Sequence, residues 1–262
     1  MSHDPSSLGG LLPYVANIAR NPVRVKQLSG KLFSLPENCE VCTTPTDGWP
    51  RCYQCNEQRQ IYGTELADLV VPLSYAVKGH PTLGQFYTDL WNYKSDRAPE
   101  TARLRLSIMC LFFQQLHSGC VARRIGSPAD FFASVPSGRN RPLPHPLEGL
   151  RAIVSGASRV AVARYVAVTR GDRATGLDPE QFAFNEPLTG HVQIVEDTWV
   201  KGQNAQSVAV AAKRAGATAV SIVVLGRVLD NGWQQSTGWI ADNLVDAQWT
   251  PDICPVTGGE CP

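Results

Sequence analysis

The 262 residues carry 24 Lys or Arg against 23 Asp or Glu, a net charge of +1, with 43% apolar and 18% charged side chains. That balance fits a soluble globular chain able to bury a sizeable core, as one large domain or one domain with appendages, and argues against a membrane-spanning one. The near-zero total hides a segregation: twelve Arg against four acids between Arg97 and Arg173, then ten acids against four Lys or Arg from Asp178 onward. A basic middle favours an anionic ligand such as a pyrophosphate ester or nucleic acid, although a solvated basic surface is the commoner origin of such a stretch.

Residues 1–36 read as a lead-in with one or two short helices around Pro13 and Pro22. Its apolar stretch near Leu11 is short and broken by Pro13, so no secretory or membrane segment is expected and the reading is cytoplasmic. Eight cysteines in such a chain point to metal or buried thiols before disulfides. In residues 37–60, Cys39-Glu-Val-Cys42 and Cys52-Tyr-Gln-Cys55 form two CxxC knuckles. Each turns two thiolates toward one ion, and together they complete a tetrahedral sulfur shell, the geometry of structural Zn2+. The predicted centre is a small zinc ribbon, Cys39, Cys42, Cys52 and Cys55, with one zinc per chain.

Residues 61–262 form the remaining domain. Residues 66–95 mix apolar segments, with a turn at Lys78-Gly79-His80-Pro81 and helical spacing of Phe86, Leu90 and Trp91. Thr101 to Leu116 has a strong 3.6-residue period through Leu104, Ile108, Leu111, Phe112 and Leu116. Cys110 and His117 read as filler rather than ligands. Phe131 to Val135 reads as a strand leading into a turn-rich loop, Pro136 to Arg141. A helix near Leu147–Ser155, a strand Val160–Val168, a long polar loop Thr169–Thr189 and a strand His191–Val195 follow. A helix over Ala205–Ala215 and a strand Ala219–Leu225 complete an alternation that predicts an α/β fold, a parallel sheet flanked by helices. In such sheets ligands bind beyond the carboxyl ends of the strands, so the Pro136–Arg141 and Glu196–Asn204 loops share that edge. At the C-terminus, Cys254 and Cys261 are too few alone for a second metal site; a local disulfide or plain packing is the favoured reading.

The stretch Val195-Glu196-Asp197-Thr198-Trp199-Val200-Lys201-Gly202-Gln203-Asn204 is the most informative. Adjacent carboxylates at a strand end are poor structural choices, because burying like charges raises their pKa values or costs several kcal/mol. A glycine-containing turn opening a helix offers backbone N–H groups and a dipole to an anion. Together they suit a ribose 5-phosphate; the alternative is a solvated turn.

The double CxxC, Tyr93-Lys94, Val135-Pro136 entering an Arg-containing loop, and Val195-Glu196-Asp197 with Gly202 together resemble a type I phosphoribosyltransferase. Within that group the chain is similar to the competence protein F (ComF) family, over roughly residues 37–229. The resemblance implies that Glu196 and Asp197 bind the ribose hydroxyls of phosphoribosyl pyrophosphate (PRPP), and that Thr198, Trp199, Val200, Lys201, Gly202, Gln203 and Asn204 hold its 5-phosphate. It places Ser137, Gly138 and Arg139 on the pyrophosphate, with Mg2+ bridging pyrophosphate and ribose oxygens, and a mobile flap at Thr169–Thr189. Lys201, Asn204, Trp199 and Gln193 depart from the family pattern. The implied function is transfer of phosphoribose to or from a nitrogenous acceptor. The alternative is a non-catalytic nucleotide-sensing module contacting single-stranded DNA or a protein partner.

Overall fold

A computed structural model describes residues 5–24, 37–46, 48–95, 97, 99–136, 145–155, 159–161, 163–166 and 176–262. After a 3-10 turn at Pro5–Leu11, Pro13 opens the short helix α1 (Pro13–Ala16), where its missing N–H costs nothing. The elements that follow are α2 (Tyr53–Tyr62), β1 (Leu69–Lys78), α3 (Gln85–Asn92), α4 (Glu100–Leu116), α5 (Ser118–Ile125), β2 (Phe131–Ser134) and α6 (Pro146–Ser155). Then come β3 (Ala163–Tyr165), β4 (Phe182–Phe184), β5 (His191–Trp199), α7 (Gln203–Arg214), β6 (Ala219–Asp230) and α8 (Gln234–Asn243).

The predicted architecture holds. Four parallel strands make the central sheet in the order β1-β6-β5-β2. Both faces are covered, which explains why the strands read as near-continuous apolar runs. Side chains alternate along each strand. Val71, Leu73, Val195, Val223 and Leu225 join α3, α4 and α6 in one core. Val70, Val192, Ile194, Val220, Ile222 and Val224 join the Ala-rich face of α7 and three of the four ribbon cysteines in another. The ribbon thus shares a core with the sheet. Strand β1 lies in the segment read only as mixed apolar, and Pro72 within it is tolerated because β1 is an edge strand.

Two expected strands differ. The run Val160–Val168 is divided: Val160 bridges to Phe132 beside β2, whereas residues 163–165 pair antiparallel with β4 in a separate ribbon. The expected loop Thr169–Thr189 is correspondingly structured over residues 176–189. Leu177 is fully buried, the Asp178 N–H donates to Ser207 Oγ on α7 at 2.8 Å, and Phe182 meets Tyr165 edge to face. Residues 169–175 lie outside the described residues. Strand β5 does not stop at Val195; it continues through the acid pair to Trp199 because β6 keeps pairing with it, Glu196 with Val224 and Thr198 with Gly226.

The outward paths from β2 and β5 open the cleft. Helix α6 leaves β2 toward one face (Leu147, Leu150 and Val154 pack there), and α7 leaves β5 toward the other. Helices diverging from neighbouring parallel strands leave a crevice at their carboxyl ends. Among the described residues, no helix is long and apolar enough to cross a membrane.

Candidate functional site

The crevice is an open cleft of about 830 Å3 whose lining includes Glu196, Asp197, Thr198, Lys94, His145 and the 200–205 turn. Register explains its depth. Ser134 at the end of β2 pairs with Val195, so the acid pair sits just past the end of its neighbour.

Asp197 is 1% exposed, yet it is fully engaged. Tyr93 Oη donates to its Oδ2 at 2.6 Å, Lys94 Nζ pairs with the same oxygen at 2.5 Å, and Thr198 Oγ1 donates to Oδ1 at 2.8 Å. Burial alone would push this carboxyl up; Lys94 and the two hydroxyl donors outweigh it and hold the group below the ordinary Asp range. Glu196 has the opposite fate. Burial first, then the negative charge of Asp197, push its carboxyl well above the usual range, with Lys94 opposing. The Tyr93 hydroxyl is driven upward by burial and by Asp197, so it remains a donor. Two neighbouring carboxyls are therefore pushed in opposite directions, the clamped Asp197 toward its ionised form and Glu196 toward its protonated form.

The Tyr93-Lys94 pair reaches the acids because α3 packs closely on β6. Gly226, opposite Thr198, makes room: a Cβ there would come within 2.3 Å of Leu90. Arg103 then holds the Tyr93–Ser95 turn, donating from Nε to Tyr93 O at 3.3 Å and from Nη2 to Ser95 O at 2.9 Å.

Beyond the acids, Gly202 has φ +73° and precedes the first residue of α7 with no side-chain cap. First-turn N–H groups of a helix have no intrahelical acceptor, so this terminus presents donors and a positive dipole end to the cleft. Gly202 is required on two counts, the left-handed φ and a Cβ that would meet Trp199 Cζ2 at 2.1 Å. Trp199 itself is 1% exposed and does not line the cleft. Its indole packs against Gly202 beneath the turn, so the structure places Trp199 under the cleft wall and not in its lining. Thr198, Val200, Lys201, Gly202, Gln203 and Asn204 do line the cleft. Ser137, Gly138 and Arg139 lie outside the described residues.

The turn is also held from below. Gln58 on α2 donates to Lys201 O at 3.0 Å, and Arg227 Nη1 donates to Trp199 O and Val200 O at 2.9 and 3.1 Å. Arg227 is buried against Cys42, which joins the cysteine cluster to the turn. Cys39, Cys42, Cys52 and Cys55 bring their sulfurs within 4.8 Å of one another, a group able to hold a metal ion and compatible with structural zinc. Tetrahedral Zn–S bonds of about 2.3 Å place sulfurs about 3.8 Å apart, and Cys42 and Cys52 stand at 3.8 Å. The knuckle is shaped by Cys39 N–H to Thr44 O at 2.8 Å and by Thr43 at φ +62°, whose carbonyl accepts from Tyr75 Oη at 2.7 Å.

Tyr87, Trp91 and His145 are among the cleft residues that the sequence reading did not place in the site. Tyr87 and Trp91 are one turn apart on α3 beside Leu90, which lines the same cleft; Tyr87 is half-buried against the core, whereas Trp91, read with Phe86 and Leu90 as one helical stripe, is 70% exposed. An exposed Trp on an otherwise well-patterned helix was the available signal. Gln193, noted as interrupting its strand, is buried within β5 with no partner for Nε2 among the described residues. The C-terminal cysteines also depart from expectation: Cys254 and Cys261 form no disulfide and meet His117 and Cys120. His117, read as filler, is buried beside them, and the ligand atoms of the four residues all lie within 4.8 Å of one another. Comparison with protein-family models, with curated proteins and with solved structures yields no match.

Proposed function

We propose that the cleft binds a phosphoribosyl ligand, PRPP or a nucleotide, and that the chain is a phosphoribosyltransferase-like protein of the ComF type with a structural zinc in its Cys39–Cys55 ribbon. One observation carries this reading: a clamped Asp197 beside Glu196, five residues before a left-handed glycine that opens a twelve-residue helix, all lining one cleft. Carboxylates accept hydrogen bonds from vicinal hydroxyls, and a helix terminus takes a phosphoryl group. Hydroxyl donors would favour the ionised form of Glu196, so ligand binding would draw a proton from that site. Tyr87 and Trp91 supply flat aromatic surface along the same wall for a base.

In this reading Mg2+ belongs to the substrate. The Asp197 oxygens are already accepting from Tyr93, Lys94 and Thr198, so pyrophosphate and ribose oxygens would be its main ligands. Displacement at the anomeric carbon separates a cationic sugar from an anionic leaving group. The chain contributes position and charge rather than a nucleophile. The test is calorimetric titration with PRPP and Mg2+, with pyrophosphate release measured across bases and amines. Binding in wild type that is lost in Glu196→Ala/Asp197→Ala supports the reading; equal binding in the double variant removes it.

Single-stranded DNA contact is a second reading, drawn from Trp49 and Tyr53, each 70% exposed on the ribbon. The intervening Arg51 pairs with Glu40 at 2.5 Å, which weakens it. A DNA affinity that does not change with salt would exclude it.

A further inference from the structure

Two pairs of side chains distant from each other in sequence, His117 with Cys120 and Cys254 with Cys261, converge where α4 meets α5. His117 stands at the junction, Cys120 is one turn into α5, and Cys254 and Cys261 arrive from the C-terminal segment. His117, Cys120 and Cys254 are buried and Cys261 is exposed; their ligand atoms all lie within 4.8 Å of one another.

The surroundings orient these groups. His117 Nε2 lies 2.7 Å from Pro251 O, and a carbonyl only accepts, so Nε2 carries the ring proton. Its Nδ1 lone pair is thereby aimed at Cys261 Sγ, 3.4 Å away. A second-shell carbonyl on the distal nitrogen is the usual device that fixes a ligating imidazole. The segment from Cys254 to Cys261 folds back on itself: Cys254 N–H donates to Gly259 O at 2.8 Å and Gly258 N–H to Cys254 O at 2.7 Å, with Gly258 at φ +80°. The amides of Val256 and Thr257 point at the Cys254 sulfur. Arg123 Nη2 donates to Cys120 Sγ at 3.2 Å.

We propose that His117 Nδ1 and the thiolates of Cys120, Cys254 and Cys261 hold a second structural zinc ion. Three thiolates and a neutral imidazole are a recognised tetrahedral zinc shell, and four protein ligands leave no open position for chemistry. Such a shell carries one net negative charge, which Arg123 offsets. A Cys254–Cys261 disulfide would leave the Cys120 thiol and the oriented His117 nitrogen without purpose. Loading releases three thiol protons, and its effect is to staple the C-terminal segment to the α4–α5 corner. The segment is also anchored by Trp249 and Val256 in the main core, by Arg24 Nε to Pro255 O at 2.8 Å and by Thr250 N–H to Asn21 Oδ1 at 2.7 Å. The inference does not depend on what the cleft binds, since none of the four residues lines it.

The test is zinc content per chain of the full-length protein, with cobalt substitution as the spectroscopic readout. Wild type is expected to hold two zinc ions, and Cys261→Ser, at an exposed position, one. Thiolate-to-cobalt charge transfer should fall from the intensity of seven thiolates toward that of the four in the first cluster. His117→Cys should retain two ions with a cobalt spectrum shifted toward all-sulfur coordination, while His117→Ala should retain one. Cys110→Ser, a buried cysteine outside both groups, should leave two. One zinc in wild type, unchanged in Cys261→Ser, would overturn the proposal, as would a Cys254–Cys261 disulfide in peptide masses of non-reduced protein.

Discussion

Replacing Gly202 with Ala perturbs one atom at the point where backbone conformation, packing and ligand binding meet. An alanine held in the left-handed region costs about 1–2 kcal/mol. Its Cβ would lie 2.1 Å from Trp199 Cζ2 and 2.3 Å from Cε2, so the turn or the indole must move. Overpacking of a filled site adds about 1–3 kcal/mol, for a combined loss of about 2–5 kcal/mol. At roughly 2–4 °C per kcal/mol for a chain of this size, Tm should fall by about 4–20 °C in differential scanning fluorimetry. Moving the turn also displaces the donors at the start of α7, so PRPP affinity by calorimetry should drop at least about tenfold, equivalent to about 1.4 kcal/mol. Gly149→Ala, in α6 with open space around the new Cβ, is the control. It should raise stability by about 0.5–1 kcal/mol through loss of unfolded-state entropy. A Gly202→Ala protein melting within about 1 °C of wild type would refute the argument from conformation and packing; the 1 °C criterion is small beside the predicted fall.

Glu196→Gln should stabilise the unliganded protein while abolishing ligand binding. Because the folded-state carboxyl is raised above its ordinary 4.5, the native state binds more protons than the unfolded one, and wild-type stability falls as pH rises from about 4.5 through the raised value. Melting curves of the two proteins should therefore meet near pH 4 and separate with increasing pH, the Gln variant higher; parallel curves would contradict this. Asp197 runs the other way: its depressed carboxyl contributes stability above its ordinary 3.8 that is lost as pH falls through the folded value. Lys94→Met leaves that buried charge without its cation and should cost about 3 kcal/mol, the low end for a broken buried pair because Lys94 is 24% exposed, measured by urea denaturation. Tyr93→Phe removes one donor and should cost about 1–3 kcal/mol in the same assay. Stripping metal from the Cys39–Cys55 cluster should weaken cleft binding as well as stability, because Arg227 and Gln58 link that module to the 199–201 carbonyls; unchanged affinity in the chelated, still folded protein would disprove the linkage.

Local chemistry made part of this molecule legible. The two CxxC knuckles, the 3.6-residue period of α4, the buried runs of β5 and β6, and the acids followed by glycine all express interactions between residues close in the chain. Periodicity and turn preference are local properties, so a linear reading captures them. Other features depend on distant partners. Strand β1 carries Pro72, whose missing N–H is harmless only because pairing places the strand at the sheet edge. Val160–Val168 divided because one part found β2 and the other found β4. Tyr93 and Asp197 are 104 residues apart, and the difference between the two adjacent carboxyls arises from that contact and from Lys94. His117 and Cys261 are separated by 144 residues, and neither has a sequence neighbour that reveals the other. The sequence by itself determined the elements whose patterning is local, such as α4 and α7, and which residues can carry charge or bind metal. Only tertiary packing decided which of those groups meet, because burial, register and pKa are set by neighbours that chain order does not specify.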